Sequence, residues 1–237
     1  MNLYGVSFEN YHTLKDWGLY IVNRQENSPP EPKIYKVDVP GGNGSIDVTE
    51  AVLGSVAYSD RQITCEFYTL ERDVLQWANL YSEIMAAIHG KKMKIIFDDD
   101  PGYYYVGRVS VQEWKSERQH AVLTVVCDCE PYKYEVNAYG ANWLWDPFDF
   151  ETGVIYDDTK TITGTTTVTV ETLKMPVTPS FRANKAMTLT CEGNVYTIPA
   201  DTDITFYELV LTEGSHALTF KCSGTGTVKI MFTNGVL

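Results

Sequence analysis

Residues 40–67 read PGGNGSIDVTEAVLGSVAYSDRQITCEF, and their reading decides what the rest of the chain has to supply. The stretch opens on a Pro-Gly-Gly-Asn-Gly turn. It then alternates apolar and polar side chains, with Ile46 and Val48, Val56 and Tyr58, and finally Ile63, Cys65 and Phe67 in the apolar phase. Gly54 and the Ser59-Asp60 pair interrupt the alternation. Glycine reaches positive φ without steric cost, and a period of two gives a strand one face for a core. The expectation is a glycine-rich turn followed by two or three antiparallel strands. No activity follows from that alone.

Upstream, residues 1–22 alternate loosely, with Leu19, Ile21 and Val22 reading as a strand. Residues 23–33 (NRQENSPPEPK) are polar and carry three prolines, which lack the ladder donor and fix φ. They predict a loop or extended arm, not a strand. Residues 34–39 alternate again and lead into the opening stretch.

Downstream, residues 70–90 predict the one helix. Val74, Leu75, Trp77, Ala78, Tyr81, Ile84, Met85 and Ile88 recur at three- and four-residue spacing. Thr69 is the expected N-cap and Gly90 the stop, with Lys91 and Lys92 at the negative end of the dipole. Residues 94–97 and 103–111 flank Asp98-Asp99-Asp100-Pro101-Gly102 and predict a hairpin. Its three adjacent carboxylates lack the alternating ligand spacing of a calcium loop and read as an acidic, solvated turn. Residues 121–129 (AVLTVVCDC) form a further expected strand.

Composition shifts near Tyr139. From Val154 threonine alternates with apolar residues, and short strands are readable at 161–163, 165–171, 186–191, 195–198, 204–211, 217–222 and 227–232. Strands of that length with turns every 8–12 residues predict a β-sandwich. The expected domains are 1–138 and 139–237.

The 237 residues carry 31 acidic and 19 basic side chains, a formal charge of −12. Nucleic-acid recognition needs a basic face, so this charge argues against general DNA or RNA binding, and an anionic membrane surface gains no support. The first residues lack the basic start and apolar core of a signal peptide, and no apolar run approaches a membrane span of about 18–20 residues. No leader and no membrane anchor are expected, which discounts the Asn43-Gly44-Ser45 sequon. Five scattered cysteines, Cys65, Cys127, Cys129, Cys191 and Cys222, read as reduced core thiols.

The motifs that carry chemistry fail on spacing. His12, His89, His120 and His216 are far apart, and Cys127-x-Cys129 has no second ligand pair. There is no GxSxG elbow and no phosphate-cradling lysine loop. A two-carboxylate hydrolase cannot be picked out of so many acids. Trp143 and Trp145, with Phe148 and Phe150, form either a sugar-stacking platform or, on the favoured reading, an interdomain aromatic plug. No catalytic residue, metal ligand or cofactor is expected.

Several separated segments share an order. They are Gly41-Gly42-x-Gly44 with Ile46-Asp47-Val48-Thr49, then Tyr58-x-x-Arg61-x-Ile63-x-Cys65-x-Phe67. Next come the helix closed by His89-Gly90-Lys91, the hairpin FDDDPGYYYVGRV with Pro101-Gly102, and Cys127-Asp128-Cys129-Glu130-Pro131-Tyr132-Lys133-Tyr134. Gly224-x-Gly226-x-Val228 and a terminal Asn234-Gly235-Val236-Leu237 follow. In this the chain resembles the distal tail proteins of siphophages and prophages of Gram-positive bacteria.

The resemblance implies a mainly β chain. Its N-terminal domain would be a tail-tube-like β-barrel or sandwich with one flanking α-helix, and its C-terminal domain a galectin-like or carbohydrate-module-like β-sandwich. It further implies a homohexameric ring at the virion tail tip, assembled in the host cytoplasm. The ring would join the tail tube protein to a tail-associated fibre or lysin protein and to baseplate or receptor-binding proteins, with DNA only as cargo through its channel. On that reading Gly41, Gly42, Gly44, Asp47, Arg61, Phe67, Pro101, Gly102, Pro131 and Tyr132 are structural signature positions. The competing expectation is a host-surface carbohydrate-binding module working through Trp143 or Trp145.

Overall fold

The computed structural model describes residues 3–51, 54–69, 74–116, 121–136 and 159–237. The chain forms two units, Met1–Lys133 and Tyr134–Leu237. The expected boundary at 138/139 and the tryptophans Trp143 and Trp145 lie outside the described residues.

In the first unit the elements are β1 (Val6–Phe8), β2 (Tyr11–His12), α1 (Thr13–Trp17), β3 (Leu19–Ser28), β4 (Lys36–Asp38), β5 (Ser45–Asp47), β6 (Arg61–Thr69), α2 (Val74–Ile88), β7 (Lys92–Phe97), β8 (Tyr103–Ser116) and β9 (Ala121–Cys129). The main sheet runs β2-β1-β7-β8-β9-β6-β3, every neighbouring pair antiparallel. With β3 outside β6 at the edge, β6 and β9 are neighbouring interior strands. Each buries every second side chain, and they meet in register at Ile63↔Cys127, Cys65↔Val125 and Phe67↔Leu123. That strict alternation is the one-sided core pattern of an antiparallel strand. α2 lays Ile84, Ala87 and Ile88 into the same core, with Leu80, Tyr81 and Met85 partly buried against it.

Several expectations need correction here. Thr69 is the buried last residue of β6, and the start of the helix expected from residue 70 lies outside the described residues. Ala78 lies on the exposed side of α2, not in its apolar stripe. A second, short helix, α1, stands where only loose alternation was read. His12 makes it, its Nδ1 accepting from the N–H groups of Leu14 and Lys15, and Gly18 in the left-handed region ends it. The polar stretch from Asn23 is strand as far as Ser28, because β3 is the sheet's edge and Val22, Asn23, Arg24 and Gln25 stay exposed there. The first proline follows at Pro29, where the strand stops.

The opening stretch departs further. β4 and β5 form their own two-stranded ribbon, pairing at Lys36↔Asp47, Val37↔Ile46 and Asp38↔Ser45, and Ile46 is exposed where a buried face was expected. Val56 and Tyr58 belong to no regular strand; Tyr58 makes a single bridge to Pro32. Alternation is a property of the chain, but burial needs something to lie against.

The second unit contains β10 (Lys133–Glu135, beginning on the last residue of the first), β11 (Thr159–Thr172), β12 (Ser180–Ala183), β13 (Met187–Cys191), β14 (Asn194–Ile198), β15 (Asp203–Thr205), β16 (Gly214–Met231) and β17 (Gly235–Val236). Its sheet runs β14-β13-β16-β12-β15, with β11 also on β16. Two strands expected at 217–222 and 227–232 are one long strand, β16, which pairs with β13 up to Cys222 and with β12 from Val228. Glycine makes this continuity work: Gly224 sits at φ 81°, and opposite it β11 has a register shift beside Gly164 at φ 61°. The strand expected over 204–211 is short; beyond Thr205 only Leu211 bridges, to Val177. Phe181, Leu189, Phe220, Ile162 and Ile198 fill the core with no exposed surface. The fold is mainly β, as expected from the sequence.

At Gly107 on β8 the backbone runs close against β9. A Cβ there would lie 2.5 Å from Cys129 Sγ and 2.7 Å from the Asp128 carbonyl oxygen. Gly107→Ala is expected to lower stability by about 1–3 kcal/mol, the usual cost of overpacking, read as a lower thermal midpoint and a lower urea midpoint.

Candidate functional site

The residues singled out by sequence fall into three places on the first unit. The first is the ribbon tip. Gly41 and Gly44 sit at φ 77° and 79°, and a Cβ on either would meet nothing within 4 Å. These two glycines serve the turn's left-handed conformation, not a close approach within this chain. At the ribbon's base Asp47 Oδ1 accepts from the N–H and the hydroxyl of Thr49, and Thr49 Oγ1 in turn accepts from the Tyr35 N–H at 3.0 Å. Thr49's hydroxyl first, then its N–H, and to a smaller extent Lys36 hold the Asp47 carboxyl below its usual range, against a small opposing effect of desolvation.

The second place is internal. Arg61 begins β6 and is buried; its Nε donates to the Pro131 carbonyl at 3.0 Å, and its guanidinium lies 5.4 Å from the Tyr105 ring centroid. Tyr132 is buried beside it and meets Tyr58 edge-on at 6.0 Å. Phe67 is fully buried in the core. Arg61, Pro131 and Tyr132 thus close one end of the sheet, tying the chain after β9 back to the start of β6.

The third place is the β7–β8 turn with exposed Pro101 and half-buried Gly102. The acidic turn lies at the surface as expected, with Asp99 exposed, and each of its carboxylates is also engaged individually. Asp98 Oδ2 accepts from the Gly5 N–H at 2.6 Å while Oδ1 meets His12 Nε2 at 3.1 Å. Asp99 pairs with Arg24 at 2.9 Å, and Asp100 with Lys133 at 2.7 Å. Arg24 also lies 4.5 Å over Phe97, and Lys133 lies 4.3 Å over Tyr103. The turn therefore holds the N-terminal segment, the edge strand and the end of the unit together. Sequence spacing carried no signal for this, since the partners are 33–93 residues away.

Cys65, Cys127 and Cys129 are buried on the core side of β6 and β9, and burial pushes Cys65 and Cys129 up to about 12 and Cys127 well above its ordinary value. A thiol held protonated is neither nucleophile nor metal ligand. All five cysteines are buried and unbridged.

What remains accessible is the ribbon. Sequence reading missed its defining property, exposure: Ile34, Tyr35, Val37, Val39 and Ile46 all lie on the surface. An open groove at its base is lined by Pro32, Ile34, Val48 and Val56, with Asp47 and Glu50 at the rim.

Because the Asp47 pKa is lowered on folding, the stabilisation it gives the ribbon base is present above the ordinary value of 3.8 and is lost as pH falls through the lower folded value. In an acid titration followed by NMR, the Thr49 amide shift is expected to move with a midpoint below 3.8. Asp47→Ala should abolish that titration.

Comparisons with known proteins agree with this architecture. Residues 7–122 match the family model of the phage tail protein RIFT-related domain. No curated protein matches the chain in sequence. Among solved structures the chain is similar to the crystal structure of SPP1 Dit (gp 19.1), described as a paradigm of hub adsorption apparatus in Gram-positive infecting phages, with a TM-score of 0.64 at 14% identity over 100% of both chains. On these grounds residues 7–122 belong to the family of the phage tail protein RIFT-related domain, and the chain as a whole shares the fold of SPP1 Dit.

Proposed function

We propose that this protein is the structural hub of a siphophage or prophage-derived tail tip. Six copies form a ring around a channel that joins the tail tube to the tail-associated protein and baseplate. The observation that carries the reading is the agreement of two independent likenesses: the tail-domain family over residues 7–122 and the hub protein's fold over the whole chain. The role is architectural. Its signature positions hold sheet ends and turns: Arg61 and Tyr132 are buried, and the buried Cys127 and Cys129 thiols are held protonated.

The charge fits such a conduit. Six copies at −12 each carry −72 formally. Acidic side chains facing a channel repel phosphate, so DNA passes without adhering to the wall. The role places the protein in the virion, among other tail proteins, and gives it DNA only as cargo.

Electron microscopy of the purified full chain is expected to show six-fold rings with a central opening; a strictly monomeric protein at high concentration would count against the hub. With lumen-facing acids identified in such rings, their replacement by lysine is expected to slow genome ejection, measured as DNA release from purified virions. Unchanged ejection would sink the repulsive-wall account and leave the ring standing.

A further inference from the structure

The dipeptide Asn-Gly occurs twice in the chain, at Asn43-Gly44 and at Asn234-Gly235. It is a reactive pair, because glycine has no Cβ to keep its amide nitrogen away from the asparagine Cγ. The fold places the two copies in opposite surroundings.

Asn43-Gly44 lies at the tip of the β4–β5 ribbon, beyond the last strand pair, Asp38↔Ser45. Asn43 and both flanking glycines, Gly42 and Gly44, are exposed. The Gly42 N–H donates to the Val39 carbonyl at 3.0 Å, whereas no described residue accepts from the Gly44 N–H. Gly44 stands at φ 79°, and a Cβ built on it would meet nothing within 4 Å. The nitrogen that has to move is unbonded, and the space it moves through is open.

Asn234-Gly235 is enclosed. Asn234 is 1% exposed; its Oδ1 accepts from the Leu173 N–H at 3.3 Å and its carbonyl from the Glu135 N–H at 3.1 Å. Gly235 begins β17, is buried, and its carbonyl accepts from the Met175 N–H at 3.1 Å. For the Gly235 nitrogen to reach Cγ, the Asn234 side chain must swing over its own backbone. That breaks buried hydrogen bonds with no water at hand to replace them.

We propose that Asn43 is a self-modification site: the folded chain converts it to aspartate and isoaspartate and spares Asn234. The Gly44 amide gives its proton to solvent base, and its nitrogen attacks Asn43 Cγ. The bond from nitrogen to Cγ forms as the bond from Cγ to the side-chain nitrogen breaks, and that nitrogen takes up a proton and leaves as ammonia. The product is a five-membered succinimide, which water opens. Cleavage of the ring at Cγ leaves aspartate. Cleavage at Asn43's own carbonyl carbon leaves isoaspartate, with the backbone routed through the side chain. Water is the only co-reactant, and nothing is oxidised or reduced.

Either product adds one negative charge, taking the chain from −12 to −13. Isoaspartate also lengthens the main chain by one carbon, inside a turn whose length sets the register of β4 against β5. The change falls on the element that carries the exposed apolar side chains Val37, Val39 and Ile46, so it alters the charge and the path of that surface.

The full-length protein is held in mildly alkaline buffer, folded or unfolded in guanidinium chloride, and sampled over days. Trypsin separates the two sites: residues 37–61 lie between the cuts after Lys36 and Arg61, and residues 230–237 follow Lys229. In the folded chain, peptide 37–61 is expected to split into aspartyl and isoaspartyl forms, each heavier by the exchange of the amide NH2 for OH. Labelling by an isoaspartyl methyltransferase marks the second form. Peptide 230–237 is expected to change at least about tenfold more slowly, since Asn234 reacts only when its surroundings open. In guanidinium chloride both peptides are expected to convert at similar rates, and an N43Q variant is expected to leave 37–61 unchanged. Retention of Asn43 in the folded chain, loss of Asn234 at a matching rate, or a mass gain on 37–61 that survives N43Q overturns the proposal. A difference between the sites that persists in guanidinium chloride also overturns it, because neighbouring residues and not the fold would then set the rates.

Discussion

The structure of the first unit depends on one constraint: the core-facing side chains of β6 and β9 must be covered on a single side. Ile63, Cys65, Phe67, Leu123, Val125 and Cys127 are at most 3% exposed, which two paired strands cannot achieve alone. α2 supplies part of the cover with Ile84, Ala87 and Ile88, and β1, β7 and β8 extend the sheet beneath it. Burial of this kind contributes about 1.5–3 kcal/mol per large apolar side chain, offset by the entropy of ordering each residue. The helix and the sheet therefore stand or fall together.

Around that centre, charges act as fasteners between chain segments distant in sequence. Arg61 ties the start of β6 to Pro131, and the Asp98-Asp99-Asp100 turn ties β7–β8 to Gly5, Arg24 and Lys133. The exposed pairs are worth little individually, and their value is positional. Arg24 is both paired with Asp99 and laid over Phe97, so the edge strand is held at its middle.

The main chain directions were readable from the residues because they follow local rules. The alternation of AVLTVVCDC predicted β9 to the residue, and the Pro-Gly turn placed the β7–β8 hairpin. The three- and four-residue spacing found α2. Long strands were harder. β16 reads as two strands from the sequence, whereas a left-handed glycine at Gly224 lets a paired strand bend without ending. α1 was missed because its cap is a histidine, a residue that capping patterns do not include.

Residues 40–67 divide the two kinds of information. By itself the sequence determined the glycine turn, the alternation and the pairing of extended segments, since these depend on φ, on side-chain parity and on neighbours a few residues away. Tertiary structure decided which alternating segment is core and which is surface. Phe67 and Ile46 have the same local pattern, yet one is wholly buried and the other 57% exposed. The difference lies in β9 and α2, which reach Phe67 and leave the ribbon uncovered. Parity says that a strand has an apolar side, and only the fold says what that side faces.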